Sequence, residues 1–349
     1  MTDFILKKFT RSETHDFVKL SKSEYSNKNP VTSKDFINWK FSSYFIKPVY
    51  IYKYLLNNKC TGRVMLPQNK LIVGDDSFET INPCDLLIHK SYRKSPNIFL
   101  NLIKGPRQFS NKIFIHTSNN NSDKLYRIPL KYKKGCVLDA FAFPSNILFF
   151  IPGNFLNIIR YIFNFPFLIS VKVFIKLLKF ITNIETTSGF PSETEEQELY
   201  DSIKSKKHPF YARSKKFFRW RYSNYNSENV YSLKIMIGKK AIINTVLLAN
   251  EFKGFKVCMI MDSIASDNAV YGARLLNFLC IIEFAMKKNS NLIFSLFNKN
   301  SHIFKSLYSF VLPKIPSSFL PHETPLYIRD PNNLCFDRFH CVLSDLDYF

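Results

Sequence analysis

The sequence predicts a mixed α/β fold built twice from one module, and three ordered landmarks predict it. The two tryptophans of the chain each sit in an aromatic–basic–aromatic triplet, Trp39-Lys40-Phe41 and Trp220-Arg221-Tyr222. In each half an extended apolar run then ends in an aspartate that leads a further apolar stretch, Asp85-Leu86-Leu87-Ile88 and Asp262-Ser263-Ile264-Ala265. An Asn/Ser-rich stretch finally precedes a Leu-Tyr pair, Leu125-Tyr126 and Leu307-Tyr308. Tryptophan to aspartate is 46 residues in one copy and 42 in the other, and tryptophan to tyrosine is 87 and 88. Near-equal spacing of three unlike landmarks argues for duplication of a domain of about 120 to 150 residues.

Each element follows from local pattern. Residues 4–9 alternate as a strand, and 12–21 form a helix opened by a Ser/Glu capping arrangement. Residues 33–42 make a second helix, capped by Ser33 with Asp35 in its first turn. Strands at 49–55 and 62–66 flank Asn57-Asn58-Lys59, a hairpin turn. Residues 84–89 are a short buried strand, 96–104 a helix with Pro96 at its first turn, and 113–116 the next strand. In the second half 230–237, 241–248 and 256–261 are strands, 269–287 a helix and 291–297 a strand, repeating that order. The acidic run 192–202 opens the second copy.

Between the copies the chain carries no charge from Ala140 to Ile159, and stays apolar to about Ile181. Pro144, Pro152, Gly153, Asn154 and Pro166 argue against one straight helix. Within 167–180, Lys172, Lys176 and Lys179 share one helical face while Leu168, Val171, Phe174, Ile175 and Leu178 fill the rest. That pattern fits either the headgroup boundary of an anionic membrane, with lysines reaching phosphates, or a linker packed on its neighbours. The expected organisation is therefore a first domain over 1–139, an apolar helical linker over 140–190 and a second domain over 191–349.

Composition narrows the function classes. The 349 residues are 46% hydrophobic with 36 phenylalanines, which excludes wholesale disorder and leaves room for two cores. A net charge of +22 suggests an anionic partner. Abundant Lys, Asn, Ile, Phe and Tyr beside only 9 glycines are equally what an AT-rich genome imposes. The seven cysteines form no CxxC and read as reduced thiols of a cytoplasmic protein, and Cys335, His340 and Cys341 lack a second ligand pair for zinc. No signal peptide is visible at the N-terminus. The aromatics show core spacing rather than an exposed basic stripe, so DNA is not an expected partner.

The order strand, helices, hairpin, strand, helix, strand and late Leu-Tyr element resembles the GNAT acyltransferase fold. Asp85 to His89 followed by Lys90-Ser91-Tyr92-Arg93 is similar to the family's strand running into the arginine of its pyrophosphate loop. Asn119, Ser122, Leu125 and Tyr126 resemble the family's later signature. Phe218-Arg219-Trp220-Arg221-Tyr222 and the ending Asp345-Leu346-Asp347 are similar to tandem GNAT-type proteins among bacterial surface-polysaccharide enzymes. The departures are Lys94-Ser95-Pro96 after Arg93, where the family has glycines, and Ser266-Asp267-Asn268 in the second copy, which has no arginine. Arg93 and Lys94 can still pair with phosphates without those glycines, whereas Asp267 would repel a diphosphate, so the first copy is the better donor site.

The resemblance implies an N-acyltransferase that moves an acyl group from acetyl-CoA or another acyl-CoA to an amine. It implies Tyr126 as general acid, Asp85 or His89 as the group taking the amine's proton, and Arg93, Lys94 and Asn119 as cofactor contacts. Both tryptophans read as helix-packing anchors. The implied acceptor is an amino sugar or lipid-linked sugar, met in the cytoplasm or at the periphery of the inner membrane. Two other readings stay open: a FemAB-like transferase using aminoacyl-tRNA, and a degenerate scaffold at the membrane.

Overall fold

A computed structural model describes residues 2–42, 48–117, 120–145, 156–204, 208–223, 225, 227–252, 255–267, 269–316 and 324–346. The chain divides into two compact units. One comprises Met1–Ile72, Asp76–Cys136 and Thr324–Cys335, the other Val73–Asp75, Val137–Glu323 and Phe336–Phe349.

In the first unit β1 (Thr2–Lys8), β2 (Tyr50–Leu56), β3 (Lys59–Leu66) and β6 (Cys84–Ile88) form a four-stranded antiparallel sheet in that order. Asn57 and Asn58 adopt left-handed conformations (φ 47 and 61), as a two-residue turn between twisted strands requires. Between β3 and β6 lies a hairpin that the sequence did not announce, β4 (Gln68–Val73) and β5 (Asp76–Ile81). Pro67 separates β3 from β4 and Asn82-Pro83 separates β5 from β6, so each partner of one long hairpin is broken where proline removes a ladder donor. The helices are α1 (Thr14–Glu24), α2 (Lys34–Ile37), α3 (Pro96–Lys104) and α4 (Asn120–Arg127), and β7 (Ile113–Thr117) follows α3. Residues 33–42, expected as one helix, are the short α2, capped by the Ser33 side chain, and then a π-helical turn over Asn38–Ser42. Phe17, Ile37, Phe41, Ile51 and Met65 make one core, and Val64, Ile81, Ile98, Leu102 and Phe114 another.

The second unit contains most of β8 (Lys133–Pro144), α5 (Leu156–Thr182), β9 (Ile184–Ser188), α6 (Glu193–Lys204), β10 (Phe210–Tyr211) and α7 (Lys215–Tyr222). It continues with β11 (Val230–Ile237), β12 (Lys240–Phe252), β13 (Phe255–Ala265), α8 (Tyr271–Lys287), β14 (Leu292–Phe297) and α9 (His302–Leu307). Its sheet runs β8-β14-β13-β12-β11-β9, with the β13–β14 pair parallel and the others antiparallel. The helix α8 buries Ala273, Leu276, Cys280, Ile281 and Phe284, a stripe at three- and four-residue spacing. Residues 140–190 thus supply the end of the strand β8 that pairs with β14, a helix packed on α8 and the strand β9 paired with β11. Pro166 does not end α5, which runs through it; the missing N–H removes a single ladder bond on the exposed side of the helix. Finally β15 (Thr324–Arg329) belongs to the first unit and pairs antiparallel with β7.

The element order recurs between the two halves of the chain. The order β2, β3–β4, β5–β6, α3, β7, α4 matches β11, β12, β13, α8, β14, α9. Phe36 packs on Trp39 at 5.4 Å between ring centres, and Phe217 on Trp220 at 6.0 Å, so both tryptophans anchor on a phenylalanine three residues earlier.

Candidate functional site

Each unit divides its sheet within a few residues of the matched aspartate. In the second unit the β12–β13 ladder shifts register between Val246, opposite Asp262, and Leu247, opposite Ile260, leaving Met261 as the extra residue of a bulge. Parallel pairing of β13 with β14 spans only Val257–Met259 opposite Leu292–Phe294. Beyond the bulge β13 stays with β12, while β14 pairs with β8 on its other side. The sheet therefore opens between two parallel strands, and a helix starts just beyond the end of one of them.

That opening is filled by the chain itself. Ser295 Oγ donates to the Ile260 carbonyl at 2.7 Å, and Asn298 Nδ2 donates to the Asp337 and Phe339 carbonyls at 2.8 and 3.1 Å. His340 bonds to the backbone of Ser263, and the turn Leu343–Asp345 packs against both β13 and β14. Arg213 Nε lies 2.6 Å from Asp262, which also accepts from Ser344 Oγ at 2.9 Å, and Arg213 Nη2 lies 2.6 Å from Asp345. Arg221 Nη2 donates to the Leu346 carbonyl at 2.8 Å. The two motifs singled out in the sequence, 218–222 and the Asp345-Leu346 ending, thus meet. Burial raises the Asp345 carboxyl, Arg213 opposes this and Asp262 adds to it. Burial also pushes His340 down to about 4, so it is neutral at physiological pH.

On the neighbouring residue, Ser263 Oγ sits 2.5 Å from the hydroxyl of the fully buried Tyr308. Thr245 Oγ1 joins them at 3.3 and 3.4 Å and donates to Asn277 Oδ1 at 3.0 Å. Burial raises the Tyr308 phenol. The second-copy tyrosine is a member of a closed hydroxyl network.

The first unit is built alike and ends differently. Thr80 and Ile81 of β5 pair parallel with Ile113 and Phe114 of β7, whereas Cys84, Leu87 and Ile88 of β6 pair with Met65, Arg63 and Gly62 of β3. The division falls at Asn82-Pro83, and β6 is left as the edge of its four-stranded sheet. Asp85 has a left-handed backbone (φ 48), and its carboxylate takes the Lys40 ammonium at 2.8 Å. Beside it Arg63 is almost fully buried, its guanidinium 3.5 Å over the Phe17 ring and bonded to Ser21 Oγ. Desolvation lowers Arg63 to about 10.

From β6 the chain turns through Lys90–Tyr92 into α3. His89 Nδ1 accepts from the Ser91 N–H at 3.3 Å, and its Nε2 lies 3.8 Å from Glu24. Arg93 Nε donates to the Ile88 carbonyl at 2.9 Å and Nη2 reaches Glu24 at 2.5 Å, while about half of the side chain stays exposed. Lys94 is exposed, and Asn119 lies outside the described residues. Tyr126 is buried, stacked on Tyr327 at 5.3 Å, with its hydroxyl 3.5 Å from His116 Nδ1. Burial raises the Tyr126 phenol, and burial with Arg329 pushes His116 down to about 3.

The predicted site residues therefore fall into three groups: Asp85 with Lys40, His89 and Arg93 around Glu24, and Tyr126 with His116. Glu24, Arg213 and Asp345 were not legible as partners. The one usable signal was that each motif carries a charge on an otherwise aromatic or apolar segment. Among the described residues no group of His, Cys, Asp or Glu side chains could hold a metal ion.

No family model matches the sequence, and no curated protein matches it. Solved structures match the fold. A GCN5-related N-acetyltransferase from Anabaena variabilis ATCC 29413 superposes with a TM-score of 0.59 at 11% identity, covering 94% of this chain and 72% of that one. One from Kribbella flavida gives 0.58 at 8% identity with the same coverage, 94% and 72%. Saccharomyces cerevisiae N-myristoyltransferase with bound myristoyl-CoA gives 0.54 at 11%, covering 97% of this chain and 84% of that one. The divided mixed sheet is thus the fold of the GCN5-related N-acetyltransferases and of N-myristoyltransferase.

Proposed function

We propose that this chain is an acyl-CoA-dependent N-acyltransferase whose donor site is the divided sheet of the first unit. The observation that carries the reading is the open edge of β6, which leads through the turn Lys90–Tyr92 to the start of α3, with Arg93 and Lys94 exposed between them. Unpaired strand groups suit the amides of an extended pantetheine arm, and a helix start with two cations suits its phosphates. The matching place in the second unit is taken by the residues 336–346. Solved neighbours of this fold include an N-myristoyltransferase holding myristoyl-CoA, which supports an acyl-CoA donor.

In this reading the amine attacks the thioester carbonyl directly. Its proton goes to His89 Nδ1, which gives up its long bond from the Ser91 N–H while Glu24 beside Nε2 stabilises the imidazolium, rather than to Asp85, whose carboxylate is committed to Lys40. Tyr126, held protonated by burial, gives its phenolic proton to the departing thiolate and regains one from solvent once the products leave, and neutral His116 orients its hydroxyl. The proposed acceptor is an amino sugar destined for surface polysaccharide; its support is the likeness of the 218–222 motif and the Asp345-Leu346 ending to such enzymes.

Calorimetric titration with acetyl-CoA, beside an Arg93→Ala variant, tests the site. Micromolar binding that the variant weakens at least ~10-fold is expected. No heat and no thermal shift with either acetyl-CoA or myristoyl-CoA overturns the acyl-CoA reading. Binding that Arg93→Ala leaves unchanged moves the site elsewhere.

A further inference from the structure

The helix α5 carries apolar residues on the side that a surface helix normally gives to water. Val171 and Ile175 are buried toward α8 and β9, with Leu168, Leu178 and Thr182 partly buried on the same side. The remaining arc exposes Phe165, Ile169, Val173, Phe174, Leu177, Phe180 and Ile181, from 45% for Ile169 to 88% for Phe180. These are seven of the fourteen large hydrophobic side chains exposed among the described residues, so the exposure is concentrated rather than scattered. Soluble amphipathic helices place charged residues there.

The patch continues past the end of the helix. Thr182 Cγ2 lies 3.1 Å from where a Cβ on Gly272 would be, which puts the start of α8 beside the end of α5. There Val270, Tyr271 and Phe310 are also exposed, the last two with ring centres 5.5 Å apart.

Charge decides what covers this face. The helix has no acidic residue, and exposed Lys172 and Lys176 flank the apolar arc on one side, while Lys179 is turned to the Thr186 hydroxyl. The whole chain carries +22. A second copy packed face to face would set like charges against each other, whereas a sheet of lipid phosphates meets both the lysines and the apolar arc. Among the described residues no helix is long and apolar enough to cross a membrane, so the geometry is that of lying on a bilayer. We propose that the outer face of α5, extended by Val270, Tyr271 and Phe310, docks on an anionic lipid bilayer. Phenylalanine rings then sit at the acyl boundary, and Lys172 and Lys176 reach back to headgroup phosphates.

Vesicle co-sedimentation of the full chain tests this without reference to any enzymatic activity. The expected result is binding to phosphatidylcholine vesicles containing phosphatidylglycerol, at least ~10-fold weaker on phosphatidylcholine alone, and weakened by salt. The double variant Val173→Asp/Phe174→Asp should abolish binding with an unchanged melting temperature, since both side chains are already exposed. Lys172→Glu/Lys176→Glu should remove the preference for anionic vesicles. Binding that survives Val173→Asp/Phe174→Asp overturns the proposal. So does absence of wild-type binding: a concentration-dependent dimer dissolved by that variant then assigns the face to a second copy, and a persistent monomer assigns it to another protein.

Discussion

Arg213 Nε lies 2.6 Å from Asp262 Oδ2, although the residue matching Lys40 in the second copy is Arg221. In the first unit Lys40 itself holds the matched Asp85 at 2.8 Å. The aspartate at the division of the sheet keeps a buried cation in both copies, but the cation comes from different sequence positions. Arg221 is released to bind the Leu346 carbonyl, which ties down the residues that fill the second opening.

Removing that cation should be costly. Arg213→Met leaves Asp262 and Asp345 buried together without a counter-charge, and a loss of about 3–5 kcal/mol is expected in urea unfolding. Asp262→Asn should cost clearly less, because Arg213 retains Asp345. Equal losses from the two variants would show that the pairing is not what stabilises this segment.

Acid should weaken both units. His116 and His340 are lowered from 6.5 to about 3 and about 4 by burial. The unfolded chain takes up these protons near 6.5 while the folded chain does not, so stability is full above that value and falls as pH drops toward the folded values. The slope is on the order of 1.4 kcal/mol per pH unit for each histidine. Urea midpoints measured from neutral to mildly acidic pH should show it, and His116→Gln should flatten the first unit's share.

Two glycines should separate backbone strain from crowding. Gly105 ends α3 with φ +68, and an added Cβ would meet the Phe114 ring at 3.0 Å, whereas Gly238 has φ +58 with nothing within 4 Å. Gly105→Ala should cost more than the roughly 1–2 kcal/mol of a left-handed alanine, and Gly238→Asn less than that. Thermal melts of the two variants give the comparison.

The two matched tyrosines should differ in kind. Tyr308→Phe removes one hydroxyl from the Ser263–Thr245 network and should cost about 1 kcal/mol of stability with kcat unchanged. Tyr126→Phe should lower kcat by ~100-fold or more while the KM for acyl-CoA holds, if the phenol delivers the proton. A Tyr126→Phe enzyme with normal kcat removes that residue from the mechanism.

Local pattern alone was enough for the recurring mixed α/β order, the hairpin at Asn57-Asn58, the helices α3 and α8, and the tryptophan anchors, because periodicity, turn residues and caps act within a few residues of one another. It did not reveal the β4–β5 hairpin, since Pro67 and Pro83 fragment its pattern. Nor did it reveal β8, whose short apolar stretches on either side of Asp139 read alike for a buried strand and a buried helix. The tertiary structure alone decided which groups meet: that Asp85 is held by Lys40 and Asp262 by Arg213, that Arg93 leans on Glu24, and that residues 336–346 fill one opening. Those choices depend on partners 45 to 132 residues apart, Lys40 with Asp85 at one end and Arg213 with Asp345 at the other, brought together by burial rather than by local propensity.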